Sequence, residues 1–395
     1  MLSQHTNELV DVEDSGNLYE ISQAFQPRKA LITRALDFWL LGGISFAAWM
    51  LSLAATYGLN LNDGFDRHVQ SWPYAFSALS LICNYPHFMS SYRIAYGNGR
   101  KKILAHWGTL ILLPLALIAL FYAAFAFRTK PIEGHPWISQ VYGFSRSSDI
   151  GSDFMRVGVW LMWVTVGWHY AKQTFGVMLR YAFFDGYTLS KRQRFILKFT
   201  LLSVVPANFV FVMGQMKVLG SNFQDLTMPT VEIPHILGVV SYVISLAAAL
   251  CFGACVLQIY IKQKKLPSVN FITPFVAFYL WWFPGLWPEP YAMIMVPFFH
   301  SLQYLPFAYK RIESDLSEKS KRRFPTIITV NIIAMLVIGL FVFDVIPTWL
   351  DIKVQTRFEF GSSFFLISAL LFLNIHHFFV DSSIWHSKKV IKVAE

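Results

Sequence analysis

Residues 233–261 read IPHILGVVSYVISLAAALCFGACVLQIYI and contain no Asp, Glu, Lys or Arg. A helix of about 20 such residues crosses a hydrocarbon core of about 30 Å, so this stretch reads as a membrane span. Working outward, similar apolar runs fall at 36–58, 72–96, 103–127, 154–184, 195–219, 269–288, 290–309, 326–346 and 358–385. The chain is 395 residues long, and only 14% of them are charged. A soluble chain of that size would carry more charge on its surface, and the two soluble domains that length alone suggests give way to a ten-span reading. The expected fold class is therefore all-α: a polytopic membrane helix bundle over 36–385, with polar tails at 1–35 and 386–395.

The loops give an orientation. Lys262, Lys264 and Lys265 follow the quoted run. Basic clusters of the same kind occupy every second connection: Arg93, Arg100, Lys101 and Lys102; Lys191, Arg192 and Arg194; Lys310, Arg311, Lys319, Lys321, Arg322 and Arg323. Arg28, Lys29 and Arg34 precede the first run, and Lys388, Lys389 and Lys392 end the chain. Intervening loops carry Asp63 and Asp66, Asp225 and Glu232, or Glu289. Positive loops stay in the cytoplasm, which predicts both termini inside. The formal charge of +10 is thus assigned to cytoplasmic loops and not to nucleic-acid binding. The first 30 residues do not read as a cleavable leader, and the charge bias suits a bacterial inner membrane. Cys83, Cys251 and Cys255 lie in apolar runs, where a thiol behaves as a small hydrophobe, and none has zinc-site spacing.

Ionisable groups inside a bilayer are costly and read as functional by default. Spans two, four, eight and ten carry His87, His169, His300 and the pair His376–His377. All four spans run from outside to inside, and counting from their outer ends sets these imidazoles at matching depth. Local spacing adds polar company. Ser80, Asn84, His87 and Ser91 form one stripe, beside Pro86, which frees the carbonyl of Ile82. Thr165, His169, Lys172, Gln173 and Gly176 share a face. His300 and Gln303 are three apart. Asn374, His377 and Asp381 form a third stripe, with His376 about 100° away around the helix. Asp381, one turn from His377, is placed to orient its imidazole. Lys172 reads equally as a site residue or as a snorkelling interfacial cation. His106 is a lesser candidate, and His235 reads as interfacial. His5, His68, His135 and His386 read as solvated; Trp281, Trp282 and Trp287 read as an interfacial belt or as the lining of a lipophilic pocket, with the belt preferred. The bland alternative for each histidine is a hydrogen bond between packed helices.

Neutral imidazole suits iron, zinc, copper and haem. The absence of a cysteine set and the scarcity of intramembrane carboxylates argue against iron–sulfur and carboxylate-bridged di-iron sites. A nearly all-histidine ferrous site, facing dioxygen and a lipophilic substrate in the bilayer, fits best. Asn84, Lys172, Gln173, Gln303 and Asp381 would then support catalysis around the metal. Alternatives are a b-type haem electron carrier, a proton- or metal-coupled transporter, and a transferase with a histidine base.

The motifs NYPH (84–87), WHYAKQ (168–173), HSLQ (300–303) and NIHHFFVD (374–381) resemble the Brp/Blh-type membrane carotenoid oxygenases. That resemblance implies a non-haem iron enzyme that cleaves β-carotene to retinal. It implies a ferrous ion held by His87, His169, His300, His376 and His377. The clustered histidine boxes of fatty-acid desaturases are absent.

Overall fold

The computed structural model describes residues 30–54, 64–97, 99–128, 150–219, 222–223, 226–227, 233–284, 286, 295–315, 324–354 and 363–385. The tails, most of the long loop at 128–153, Trp287, His5, His135 and His386, and the side chains of His68 and Ser80, lie outside the described residues. Every apolar run of the sequence carries a helix. In chain order these are α1 (Arg34–Leu53), α2 (Gly64–Tyr96), the short α3 (Arg100–Ala105), α4 (Gly108–Ala126), α5 (Ile150–Phe184), α6 (Lys191–Leu219), α7 (His235–Gln263), α8 (Val269–Trp282), α9 (Val296–Asp315), α10 (Pro325–Val354) and α11 (Phe364–Trp385). A two-residue antiparallel pair, Asn222–Phe223 with Leu226–Thr227, links α6 to α7.

The chain is a helical membrane protein, but fewer of its helices meet the test for a span than the ten expected. Among the described residues, six are long and apolar enough to cross a bilayer: α1, α4, α6, α7, α10 and α11. Polar residues dilute the apolar character of two other helices: α5 carries His169, Lys172 and Gln173, and α9 carries His300, Gln303, Lys310, Arg311 and Glu313. Helix α8 has 14 residues, about 21 Å of rise, less than the core thickness.

Burial sorts the helices into layers. In α11, 61% of the apolar window is buried, against 11% in α10 and 22% in α7. Leu250, Phe195, Ile236 and Val243 point outward, more than half exposed, as lipid-facing side chains do. Helix α2 packs on α9, α10 and α11, and α5 packs on α4, α6, α8 and α11. Two close crossings depend on glycine. A Cβ at Gly339 would lie 2.3 Å from the Tyr85 Cβ, so α10 meets α2 almost backbone to backbone. A Cβ at Gly167 would meet Val205 at 2.6 Å and Trp282 at 3.0 Å, two residues before His169. Small residues at such crossings let membrane helices approach where no hydrophobic effect drives them together.

Helix α1 is locked from its start. Thr33 Oγ1 accepts from the Leu36 N–H at 3.2 Å. The buried Asp37 carboxylate accepts from the backbone N–H of Leu31 at 2.7 Å and Ile32 at 3.0 Å, and from the Tyr181 hydroxyl. A π-turn at Trp39–Gly43 then widens the helix, and the Leu41 carbonyl accepts from Gln303 Nε2 at 2.9 Å. Between α5 and α6, the Tyr187 phenol is pushed up to about 12 by burial and by Asp185, so it stays a donor to the Leu266 carbonyl.

Candidate metal centre

Four helices each deliver one imidazole to a common point. His87 comes from α2, one residue after Pro86. His169 comes from α5, His300 from the start of α9 and His377 from the middle of α11. One ligand-type nitrogen from each lies within 4.8 Å of the others. His87 and His377 are fully buried, His169 is 4% exposed and His300 9%. His169 Nε2 and His300 Nε2 are 3.0 Å apart. Two imidazole lone pairs at that distance repel, so the contact calls for a proton or a cation between them.

Asp381 stands inside this cluster, not behind it. Its Oδ2 is 3.4 Å from His87 Nε2, 3.4 Å from His377 Nε2 and 3.9 Å from His169 Nε2. Asp381 therefore reaches beyond His377, one turn away on its own helix: one carboxylate oxygen faces three imidazoles from three helices. Its i, i+4 spacing from His377 puts both on the inward face of α11.

Several of these atoms have no hydrogen bond. His377 Nδ1 and Nε2 and Asp381 Oδ1 are buried with no hydrogen-bond partner. Leaving a buried polar group unsatisfied costs about 1–3 kcal/mol. A cation among the donors would use His377 Nε2. Nitrogens ligating one ion at about 2.1 Å lie roughly 3–4 Å apart, close to the spread seen here. The donor set is compatible with a metal site, and its imidazole–carboxylate chemistry suits a divalent transition metal.

Hydrogen bonds from neighbouring side chains hold His87 and the backbone of His300. His87 Nδ1 is 3.1 Å from Ser301 Oγ, and the Ser301 hydroxyl donates to Asn84 Oδ1. Ser301 must therefore accept from His87, which puts the proton on Nδ1 and leaves the Nε2 lone pair facing the cluster. Asn84 thus serves the site through Ser301. Gln173 Nε2 donates to the His300 carbonyl at 2.9 Å and to Gln303 Oε1 at 3.2 Å. With the Gln303–Leu41 bond, this forms a relay from α5 through α9 to the π-turn of α1.

Sequence reasoning missed the aromatic walls. Tyr304 stacks on His87 at 4.0 Å, Tyr170 on His300 at 3.8 Å, Phe88 on His377 at 3.9 Å and Phe378 on His169 at 4.7 Å. Each imidazole is thus held flat against one ring. Tyr304 is one helical turn after His300, and Phe88, Tyr170 and Phe378 each follow a histidine directly, which was the available signal. Beside His300 a cavity of about 50 Å³ is bounded by Tyr170, Phe278, Trp281, Trp282 and Phe299.

Two expectations are corrected. His376 does not join the cluster. Its Nε2 is 3.2 Å from the Thr109 carbonyl and its Nδ1 3.0 Å from the Tyr92 hydroxyl, so it ties α11 to α4 and α2. The rotation of about 100° from His377 carries it off the inward face, toward α4 and α2. Trp281 and Trp282 are not an interfacial belt: they are 3% and 5% exposed, and Trp281 Nε1 donates to Ser45 Oγ at 2.5 Å. Asn374 donates to the Leu370 carbonyl at 2.8 Å within its own helix. Lys172 donates to Ser382 Oγ at 2.9 Å and lies 4.3 Å over the Trp168 ring, which fastens α5 to α11 next to Asp381. His106 sits at the break between α3 and α4, outside the cluster, and His235 is exposed at the start of α7.

His376→Ala should keep bound metal and lower stability by about 1–2 kcal/mol, since an interhelical membrane hydrogen bond contributes about 0.6 and at most about 1.7 kcal/mol. Metal analysis beside a thermal melt checks this; a metal-free but stable variant would return His376 to the centre.

No protein-family model, no curated protein and no solved structure matches this chain.

Proposed function

We propose that the chain is a membrane oxygenase with a histidine-ligated, non-haem ferrous ion, acting on a lipophilic substrate of the carotenoid or isoprenoid kind. One observation carries the reading: four imidazoles from four helices converge with a carboxylate oxygen in a cluster buried inside the helix bundle. His87, His169, His300 and His377 would hold the metal, with Asp381 beside them. Three or more imidazoles with a carboxylate suit ferrous iron, which when bound supplies one-electron chemistry toward dioxygen. We further place ten helices across a bacterial inner membrane with both ends in the cytoplasm, following the basic loops.

The protein's own groups have separable tasks. Ser301 and Asn84 keep the proton of His87 on Nδ1. The Gln173–Gln303 pair fixes the backbone that carries His300. Tyr170, Tyr304, Phe88 and Phe378 exclude water from the imidazoles. The cavity beside His300, with its indole and phenyl walls, suits an apolar reactant.

Haem fits less well, because the stacked rings occupy the space a porphyrin plane needs and the adjoining cavity is only about 50 Å³. The test is metal analysis and a visible spectrum on detergent-purified protein, followed by carotenoids and other isoprenoids under dioxygen. Stoichiometric iron without a Soret band, and oxygen-dependent loss of the substrate, are expected. A Soret band would mean haem, zinc would mean a hydrolytic or structural centre, and no metal would move the case to a transporter or transferase.

A further inference from the structure

A groove away from the histidines lies between α6 and α7. Helix α6 begins at Lys191 and α7 ends at Gln263, so both basic ends lie on one face. Deeper in, the two helices are stitched together: Thr200 Oγ1 donates to the Ala248 carbonyl at 2.9 Å, and Ser245 Oγ to the Ser203 carbonyl at 2.7 Å. Toward the basic face they part, and a groove of about 750 Å³ opens, within the roughly 300–1,000 Å³ of small-molecule sites.

Its lining is divided by chemistry. The mouth carries Arg192 and Lys262, which have no ion-pair partner among the described residues. No acidic residue lines the groove. The acid of the neighbouring turn, Asp185, is 6% exposed and engaged by Arg34 at 2.5 Å and by Ser268. Across the groove, Gln193 Nε2 donates to Gln258 Oε1 at 3.0 Å, so amides sit between the cations and the apolar depth. Below them the walls are Ile196 and the small side chains of Cys251, Ala254 and Cys255, which leave the volume open on the exposed side of α7.

We infer that this groove binds an anionic phospholipid, its phosphate at Arg192 and Lys262 and its acyl chain along Cys251, Ala254 and Ile196. Charge complementarity at the mouth and an apolar channel continuous with the bilayer match the two halves of such a lipid. Basic pockets between helices at the cytoplasmic face are suited to anionic headgroups. This site is independent of the metal, and its test does not depend on the oxygenase reading.

The experiment uses the full chain purified in detergent. Retained lipid is quantified by mass spectrometry, and thermal unfolding is followed with added phosphatidylglycerol, phosphatidylcholine or inorganic phosphate. Retained anionic phospholipid and a rise in Tm with phosphatidylglycerol only are expected. Each of Arg192→Ala and Lys262→Ala should weaken binding about fivefold, from the roughly 1 kcal/mol of attraction per cation. Ala254→Leu, on an exposed wall, should fill the channel and lower retention with the cations intact. Arg192→Lys should bind normally, and Lys310→Ala, a basic site elsewhere, should change nothing. Equal stabilisation by phosphatidylcholine, an equal effect of inorganic phosphate, or unchanged retention in the Arg192/Lys262 double alanine variant would overturn the proposal.

Discussion

His169→Ala and His300→Ala are each expected to lose bound metal almost completely while the protein still assembles in the membrane. The two nitrogens are 3.0 Å apart, on helices packed into different parts of the bundle, so either substitution removes a donor that no neighbour can replace. The surrounding fold has other supports. Tyr170 packs on Trp282 at 5.5 Å, and Gln173 still reaches the His300 backbone, which alanine retains. Deleting a buried ring leaves a cavity costing a few kcal/mol, so volume-conserving His169→Gln and His300→Gln belong beside the alanines. Metal per chain and the size-exclusion profile together read the result. Full metal content in both folded alanine variants would show that the four imidazoles do not form a metal centre.

Asp381→Asn is expected to have the second-largest effect, a loss of metal affinity greater than the roughly 10–100-fold typical of a residue that only orients a ligand. The reason is position. Asp381 Oδ2 lies between three imidazoles, at 3.4, 3.4 and 3.9 Å. A dication held by neutral imidazoles in a low-dielectric interior keeps its full charge uncompensated, and the carboxylate is the anion within reach. The asparagine keeps the shape and removes the charge. Metal titration of the variant distinguishes the cases: a loss of about 10–100-fold makes Asp381 a positioning residue for His377, and unchanged affinity removes it from the centre.

The membrane setting decides how much of this was legible beforehand. Helix positions were clear, because an apolar run long enough to cross a bilayer is a local property, and in lipid the backbone has no partner but its own helix. The four helices that meet at the centre could also be named, since a buried imidazole is conspicuous against an apolar run. The i, i+4 relation of His377 and Asp381 and the i, i+3 relation of His300 and Gln303 both place residues that work together. What failed was direction. The tryptophans 281 and 282 read as a belt because composition does not separate a helix end in the interface from one packed inward. Lys172 reads as interfacial or catalytic until Trp168 and Ser382 are found around it. The wide turn at Trp39–Gly43, which exposes the Leu41 carbonyl to Gln303, has no signal in apolar periodicity.

By itself, then, the sequence determined that this is a multi-helix membrane protein with buried imidazoles on four helices, because hydropathy and residue type act along the chain. Only the tertiary structure decided that His377 turns inward while His376 bonds Tyr92 and Thr109, that Asp381 faces three histidines, and that each imidazole lies against an aromatic ring. The physical reason is that lipid and protein interior are about equally apolar. A membrane helix carries little hydrophobic contrast between its faces, and its rotation is set by packing and hydrogen bonds to neighbours distant in sequence.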